Sequence, residues 1–445
     1  MTFKKLFTLL IVSLFLVNCE DYTEGINDDP NNFIIASPDL LIGQVQLSLM
    51  QHMGSNDARY SAVFTNQMSG GDRQYLTLNT YSATRGQYED MWNDVYVQGI
   101  KNGKIITTSD GASDLVIGIS EIIQGVLFAD MAALYGSVPF SEAGDPENEN
   151  PAFETQSAVV NGGIAMIQSG ISKVGTASIA AGYGGNRLTG STWAEAANTF
   201  AARYSLLAGN YSAAISFANN GVSSTANDLE TQHGTSLDNR NLFYQFCVDE
   251  RQDYLVATNS HLVNLLDGTV ARSLPTPASN LVYSSYFFQQ GPEVALNVNE
   301  GGRFSQTSPM KLASYAENQL ILAEAKFKTN DENGARAHLN NVRADLRAQY
   351  GSDAAGFPSS TATGNTLLKQ ILEEKYITLI GELVTFHDLR RTRNFIGVPN
   401  KPTGSTGASD FPQRFLIPQN EVDTNENVPA SPGGVFDPTE LFTSY

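Results

Sequence analysis

The chain has 445 residues, with 46 Asp and Glu against 27 Lys and Arg and a formal charge of −19. Nucleic acid is excluded as a partner, because such binding relies on Lys and Arg neutralising phosphates and no basic stripe is present. The two cysteines, Cys19 and Cys247, and the five dispersed histidines, His52, His233, His261, His338 and His387, lack the Cys-x-x-Cys or His-x-x-x-His spacing of a zinc site. No metal or cofactor is expected.

Lys4 and Lys5 precede an apolar run from Leu6 to Val17 that only Thr8 and Ser13 interrupt. That run is too short to span a bilayer and stay there. A basic head, a run of this length and a small or polar residue before a cysteine read as a secretory signal over residues 1–18. Leu16-Val17-Asn18-Cys19 resembles the lipobox of bacterial lipoproteins, which implies a mature chain that begins at an acylated Cys19. One acyl chain holds a protein only marginally, whereas two or three make the attachment effectively permanent. Loss of Lys4 and Lys5 moves the formal charge to −21 over the remaining 427 residues. Glu20-Asp21 resembles the surface-export signal of outer-membrane lipoproteins. With Cys19 acylated, Cys247 has no intramolecular disulfide partner, and its apolar setting from Leu242 to Val248 reads as that of a buried, inert thiol. No second apolar run approaches 18 residues, so no further membrane span is expected.

Residues 20–38 are polar and turn-rich around Asn27-Asp28-Asp29-Pro30, and read as a tether that could reach roughly 60 Å when extended. A first helix is expected from Ser37-Pro38 through Leu40, Leu41, Val45 and Leu49, with Pro at its first position. Trp92 to Ile106 carries Trp92, Val95, Tyr96, Gly99, Ile100 and Gly103 at helical spacing. Leu115 to Tyr135 is apolar on most of its surface, and its small residues Gly118, Gly125, Ala129, Ala132 and Ala133 allow close antiparallel approach of a neighbouring helix. Ser191 or Thr192 caps the next stripe, Trp193, Ala197, Phe200, Ala201 and Tyr204, which Gly209-Asn210 breaks before Ala213, Ala214, Phe217 and Ala218.

The same design recurs as Leu312, Tyr315, Ala316, Leu320, Ala323 and Phe327, then Thr329-Asn330-Asp331, then Ala335, Leu339, Val342 and Leu346. Placing Tyr204–Tyr211 beside Ala323–Asn330 suggests one helix–turn–helix unit used twice, in the manner of degenerate tetratricopeptide repeats. Such units stack because none buries its apolar face alone. The stretches 69–86, 136–155, 176–190, 222–310 and 395–445 lack helical period and are rich in Gly, Asn, Ser, Thr and Pro. Loops of this length tend to be functional. The expected fold is mainly all-α, a tetratricopeptide-like helix–turn–helix scaffold with long irregular loops.

Several stretches together resemble the SusD/RagB family of outer-membrane nutrient-binding lipoproteins, in particular its SusD-like branch. They are the lipobox, Leu134-Tyr135-Gly136-Ser137-Val138-Pro139-Phe140-Ser141-Glu142-Ala143, Trp193 through Ala197-Asn198 to Arg203, and Glu373-Glu374-Lys375-Tyr376 with Gly381-Glu382. Phe386-His387-Asp388-Leu389-Arg390-Arg391-Thr392 and the closing Arg414 to Asn425 complete the set, His387 being a departure from the family pattern. The resemblance implies a single SusD-like body over 39–445 after a signal at 1–18 and a lipidated tether at 19–38. Its repeat units would lie near 86–135, 156–221 and 310–350, its ligand-facing loops near 69–86 and 222–310, and its C-terminal segment at 364–445.

What the family implies for function is a surface-exposed lipoprotein of the outer membrane that captures an oligosaccharide or polysaccharide. It would act as the lid of a SusC-like TonB-dependent transporter, without catalysis. A peptide-binding, RagB-like importer is the alternative. A surface glycoside hydrolase would share the signal and the aromatics but needs two carboxylates held about 5–10 Å apart, which the scaffold gives no reason to expect.

Sugar rings need flat aromatics to stack on and polar groups at their edges. The 69–85 stretch, expected to be non-helical, offers Tyr75 and Tyr81 as platforms and Asp72, Arg73 and Asn79 as hydrogen-bonding groups. The alternative is that both tyrosines pack the loop onto the scaffold while Asp72 and Arg73 form a local ion pair. Tyr283-Ser284-Ser285-Tyr286-Phe287-Phe288-Gln289-Gln290 is a second candidate, with Tyr283 and Tyr286 as ligand-binding groups or, on the other reading, as core. Trp92 and Trp193 each open a helical stripe and read as core. The run Arg390, Arg391 and Arg393 reads as a solvated or salt-bridged helix end.

Overall fold

The computed structural model describes residues 36–179, 187–401 and 411–442. Cys19, the signal and most of the tether lie outside them. Helix α1, Pro38–Gly54, starts at a proline that fits the first turn, and α2, Asn56–Phe64, follows one residue later. Strand β1, Ser69–Gly70, leads into α3, Arg73–Asn79, so the 69–85 stretch is not free of helix as expected. Its one-turn period was hidden by alternating polar and apolar residues.

Residues 89–108 form α4, which passes from α geometry at Glu89–Asn93 into a π-helical stretch, Asp94–Lys101, and back at Asn102–Thr108. Helix α5, Asp114–Tyr135, is capped by the Ser113 hydroxyl, which accepts from the Val116 amide at 3.3 Å. By length and composition α5 is apolar enough to cross a membrane, contrary to the expectation that no second run would be, yet 83% of its most apolar window is buried within the protein.

The small residues of α5 explain that burial. After β2, Val138–Pro139, and β3, Phe153–Glu154, helix α6, Gln156–Val174, lies antiparallel to α5. A Cβ on Gly125 would stand 2.5 Å from the Gly163 carbonyl oxygen, and one on Gly170 would stand 2.5 Å from that of Gly118. Two glycine pairs, a heptad apart, thus let the backbones touch. On its other side α5 receives Gly99 and Gly103 of α4 against Leu127 and Gln124.

Strand β4, Leu188–Thr189, precedes α7, Trp193–Leu207, where Thr192 rather than Ser191 is the cap, accepting from the Glu195 amide at 3.1 Å. Helix α8, Tyr211–Ala218, completes the first hairpin. Strand β5, Leu229–Thr231, then joins β4 and the later β9 in a three-stranded antiparallel sheet. Residues 242–250 form α9, one α-turn at Leu242–Tyr244 continuing as a π-helical stretch, Gln245–Glu250.

Next come β6, Leu255–Val256, α10, His261–Leu266, α11, Ser279–Tyr286, and the hairpin of β7, Phe287–Gln290, with β8, Glu293–Leu296. The 222–310 stretch is therefore a chain of short elements, each too short to show a period. Gly291, at φ 60°, and Pro292 close the hairpin, as a II′ turn requires of its first position. Strand β9, Lys311–Ala313, leads into α12, Tyr315–Lys328, and α13, Glu332–Tyr350, followed by α14, Gly364–Thr378, α15, Val384–Arg391, and α16, Gln419–Thr424.

The hairpins α7–α8 and α12–α13 share one turn chemistry. Gly209 and Asn330 take left-handed φ values of 74° and 65°, and the next residues, Asn210 and Asp331, cap the second helix through Ala213 and Gly334. The equivalence is therefore Gly209 with Asn330, two residues away from the alignment expected from sequence, because the left-handed residue and its cap set the register. Trp193 is fully buried and Trp92 nearly so, the latter against Tyr96, Tyr135 and Phe153. Both are core.

A buried polar chain joins four helices. The His52 imidazole lies between Asp57, at 3.5 Å, and Asp130, at 3.4 Å. Asp130 also accepts from His387 Nε2 at 3.1 Å, and His387 Nδ1 accepts from Arg390 Nη2 at 2.9 Å. Burial disfavours a charged His52, but the two carboxylates outweigh it and lift its pKa to about 10. Burial pushes His387 down to about 4, Asp130 opposing.

These directions set a stability profile. The raised His52 contributes stability that is full below its unfolded pKa of about 6.5 and is lost as the pH rises through about 10. The depressed His387 contributes above about 6.5, and its share is lost as the pH falls through about 4. The thermal midpoint is expected to peak between these limits, and His52→Gln to flatten the alkaline limb only. Calorimetric melts across pH check this; an unchanged alkaline limb in His52→Gln would contradict it.

Of the solvated or salt-bridged helix end expected, Arg391 takes the salt-bridged form, and both Arg390 and Arg391 are buried. Arg391 pairs with Glu324 at 2.5 and 2.6 Å, while Arg390 lies over the Phe386 and Phe442 rings at 3.8 and 4.5 Å. Only Arg393 of the three is exposed.

Candidate functional site

The 69–85 stretch and the hairpin that contains Phe287–Gln290 are bridged by the segment 255–258. Strand β1 pairs with β6, Ser69 opposite Val256 and Gly70 opposite Leu255. The β7–β8 hairpin joins the same segment through the Ala257 amide, which donates to the Val294 carbonyl at 2.7 Å, and the Val294 amide, which donates to Thr258 Oγ1 at 2.9 Å.

The residues chosen in those stretches do a different job. The Tyr75 ring is buried among Tyr60, Phe246 and Tyr254, at 5.7, 5.0 and 6.3 Å, and its hydroxyl accepts from Arg59 Nε at 3.0 Å. The Tyr81 ring is buried between Phe64 and Phe436, its hydroxyl accepting from the Lys401 amide at 3.2 Å. Neither has a face left for a sugar. Asn79 Oδ1 accepts from the Gly70 amide at 3.2 Å and so braces β1. Asp72 caps α3 and lies 3.7 Å from Arg73 Nε as an exposed local pair, which contributes little. Tyr286 is buried beside Phe287. Tyr283 is part-exposed, edge-on to Phe287 at 5.7 Å, and does not line the cleft described next.

That cleft, of about 200 Å³, lies between α9, β6 and the hairpin. Phe288 offers a part-exposed ring, Gln252 and Gln290 two amides, Asp253 and Glu293 two carboxylates, and Val248, Val256 and Val298 an apolar floor. Cys247 also lines it, so this thiol is part-exposed rather than wholly buried; burial nonetheless pushes its pKa up to about 12, and it stays protonated. Phe288 is not among the ligand groups expected from sequence. The usable signal was its position: strand alternation turns Phe287 inward and leaves Phe288 beside Gln290 and Glu293 at the hairpin end.

Two larger clefts differ in chemistry. One, about 520 Å³, is walled by Leu47, Leu237, Leu242, Gln44, Gln51, Asn239, Asp238, Arg187, Arg240 and His233, with no aromatic ring of Phe, Tyr or Trp among its described lining residues. The other, about 430 Å³, has Phe64, Phe386 and Phe442 buried in its wall, Arg390 covering the last two, and a part-exposed Phe411 beside Asn394, Asn400, Gln413 and Arg393, with no carboxylate among its described lining residues. Of these three, the hairpin cleft sets a part-exposed aromatic beside carboxylates as well as amides, all of them from the 222–310 stretch. Among the described residues no cluster of three or more His, Cys, Asp or Glu could hold a metal ion.

The chain belongs to the SusD-like family, whose model, described as starch-binding associating with outer membrane, matches residues 30–418. Members of this family are binding proteins associated with the outer membrane.

Solved structures share the fold. A SusD/RagB family protein from Bacteroides thetaiotaomicron superposes with a TM-score of 0.67 at 18% identity, covering 92% of this chain and 99% of that one. A chitin-binding SusD homologue from Flavobacterium johnsoniae gives 0.71 at 14% identity, with 91% and 99% covered. A further chitin-binding protein gives 0.64 at 21% identity, with 88% and 94% covered. No curated protein matches the chain.

Proposed function

We propose that this protein captures an oligosaccharide or polysaccharide outside the cell and passes it to a SusC-like TonB-dependent transporter, over which it closes as a lid. The observation that carries the reading is the hairpin cleft, where the Phe288 ring stands between the edge groups Gln252, Gln290, Asp253 and Glu293. A ring of this kind stacks on the C–H face of a sugar while amides and carboxylates take its hydroxyls. The volume is below the roughly 300–1,000 Å³ of sites that engulf small ligands, so one or two sugar units sit in the cleft and the chain runs across the surface.

The chitin-binding neighbours make chitooligosaccharides the first ligands to try, beside α-glucans, β-glucans, mannans, fructans and pectins. Acylation at Cys19 and the 19–38 tether anchor the body, residues 39–445, to the outer membrane and leave its orientation free, as a lid needs. Affinity gel electrophoresis of the full-length protein tests the reading. Retardation by one polysaccharide is expected, weakened about tenfold by Phe288→Ala, as for loss of an aromatic contact, with the melting temperature unchanged. Retardation unaffected by Phe288→Ala would overturn the placement of the site.

Peptide capture is the second reading, favoured by the 520 Å³ cleft, whose amides and guanidinium groups suit a peptide backbone better than a sugar face. Stabilisation against heat by peptides, with no polysaccharide retarded, would select it.

A further inference from the structure

We propose that the hairpin cleft selects glycans by charge, admitting neutral and amine-bearing sugars and rejecting uronate-bearing ones; this rests on the glycan reading above. Its lining carries Asp253 and Glu293 and no Lys, Arg or His. Neither carboxylate has an ion-pair partner among the described residues, and both side chains are at least part-exposed at the cleft.

Three arginines flank the lining segments in the chain, and each has a contact of its own, Arg303 lying 3.8 Å from Glu382. Arg251 lies over the Tyr254 ring at 6.0 Å and donates to the Glu250 carbonyl at 3.2 Å. Arg240, beyond α9, holds Asp249 at 2.6 Å. The 520 Å³ cleft differs in that Arg187, Arg240 and His233 stand in its lining beside the one carboxylate of Asp238. A sugar carboxylate on Phe288 would meet two like charges and no donor cation, whereas an ammonium or a hydroxyl would find acceptors.

The test uses three β-1,4-linked hexamers of equal length, made of glucose, glucosamine and glucuronate, titrated calorimetrically into the full-length protein. At about pH 5.5 the sugar amine is protonated and ordinary carboxylates are ionised. The glucosamine hexamer is expected to bind at least about tenfold more tightly than the glucuronate hexamer at about 20 mM salt, the ratio shrinking at about 500 mM salt as screening shortens the reach of both carboxylates. In the double variant Asp253→Asn/Glu293→Gln the ratio is expected to fall to about threefold or less. Both side chains are at least part-exposed, and Asn tolerates the left-handed φ of 65° at position 253, so the variant keeps the fold.

Equal binding of the two charged hexamers at low salt, or a ratio unchanged in the double variant, would overturn charge selection while leaving glycan binding intact. Failure of all three hexamers to bind, in a protein that still melts cooperatively, would instead overturn the glycan reading and the selection with it.

Discussion

Asp130→Ala is expected to cost about 3–5 kcal/mol of stability, the loss that follows removal of one partner from a buried charged pair. Asp130 is fully buried and holds two groups at once, the His52 imidazole at 3.4 Å and His387 Nε2 at 3.1 Å. Burial opposes its ionisation, but the two histidines outweigh that and hold its carboxyl well below the usual carboxylate range. Without it, His52 keeps only Asp57, and the His387 N–H points at no acceptor. Asp130→Asn, which keeps one carbonyl acceptor, is expected to lose less. Urea unfolding measures both; a loss under about 1 kcal/mol for Asp130→Ala, a value typical of surface pairs, would show that the chain does not tie α1, α2, α5 and α15 together.

Gly125→Ala is expected to destabilise, although alanine is favoured over glycine in a helix interior by about 1 kcal/mol. The new Cβ would stand 2.5 Å from the Gly163 carbonyl oxygen and 2.8 Å from Ile167 Cγ1. A backbone oxygen cannot step aside as a flexible side chain can, so α5 and α6 must separate, at an overpacking cost of about 1–3 kcal/mol. Gly43→Ala is the internal control. Gly43 sits within α1 with nothing within 4 Å of its would-be Cβ, and there the substitution is expected to stabilise by a few tenths to about 1 kcal/mol. Opposite signs in the two denaturation curves support contact of the two backbones; stabilisation by both would contradict it.

The long helices were legible because their apolar period persists over several turns. The stripe from Leu115 to Tyr135 became α5, and Gly209-Asn210 and Asn330-Asp331 became capped turns. The family resemblance drew on the same stretches. Around the cleft, legibility fell away for a physical reason. Elements such as α3, α10 and the β7–β8 hairpin contain too few residues to show a period, and tertiary packing decides which side chains face inward.

Tyr75 illustrates the point. In sequence it sits in a polar loop with Arg and Asp beside it, the composition of a sugar site, yet Arg59, distant in the chain, takes its hydroxyl and Phe246 covers its ring. Phe288 shows the reverse, an apolar residue in an aromatic run that strand alternation leaves at the surface. The facing of each side chain depends on partners up to a few hundred residues away, as Tyr81 and Lys401 show. The buried chain from Asp57 to Arg390 was invisible for the same reason, since its members come from four separate helices.

The most direct measurement is tryptophan fluorescence of Phe288→Trp during titration with the polysaccharide that retards the protein. The two native tryptophans are buried in the core and should not report on the surface. A saturable change in emission, with the same midpoint as binding measured by calorimetry, is the result expected if a sugar ring stacks at position 288. Calorimetric binding with no change in emission would contradict the account and move the ligand to another face of the molecule.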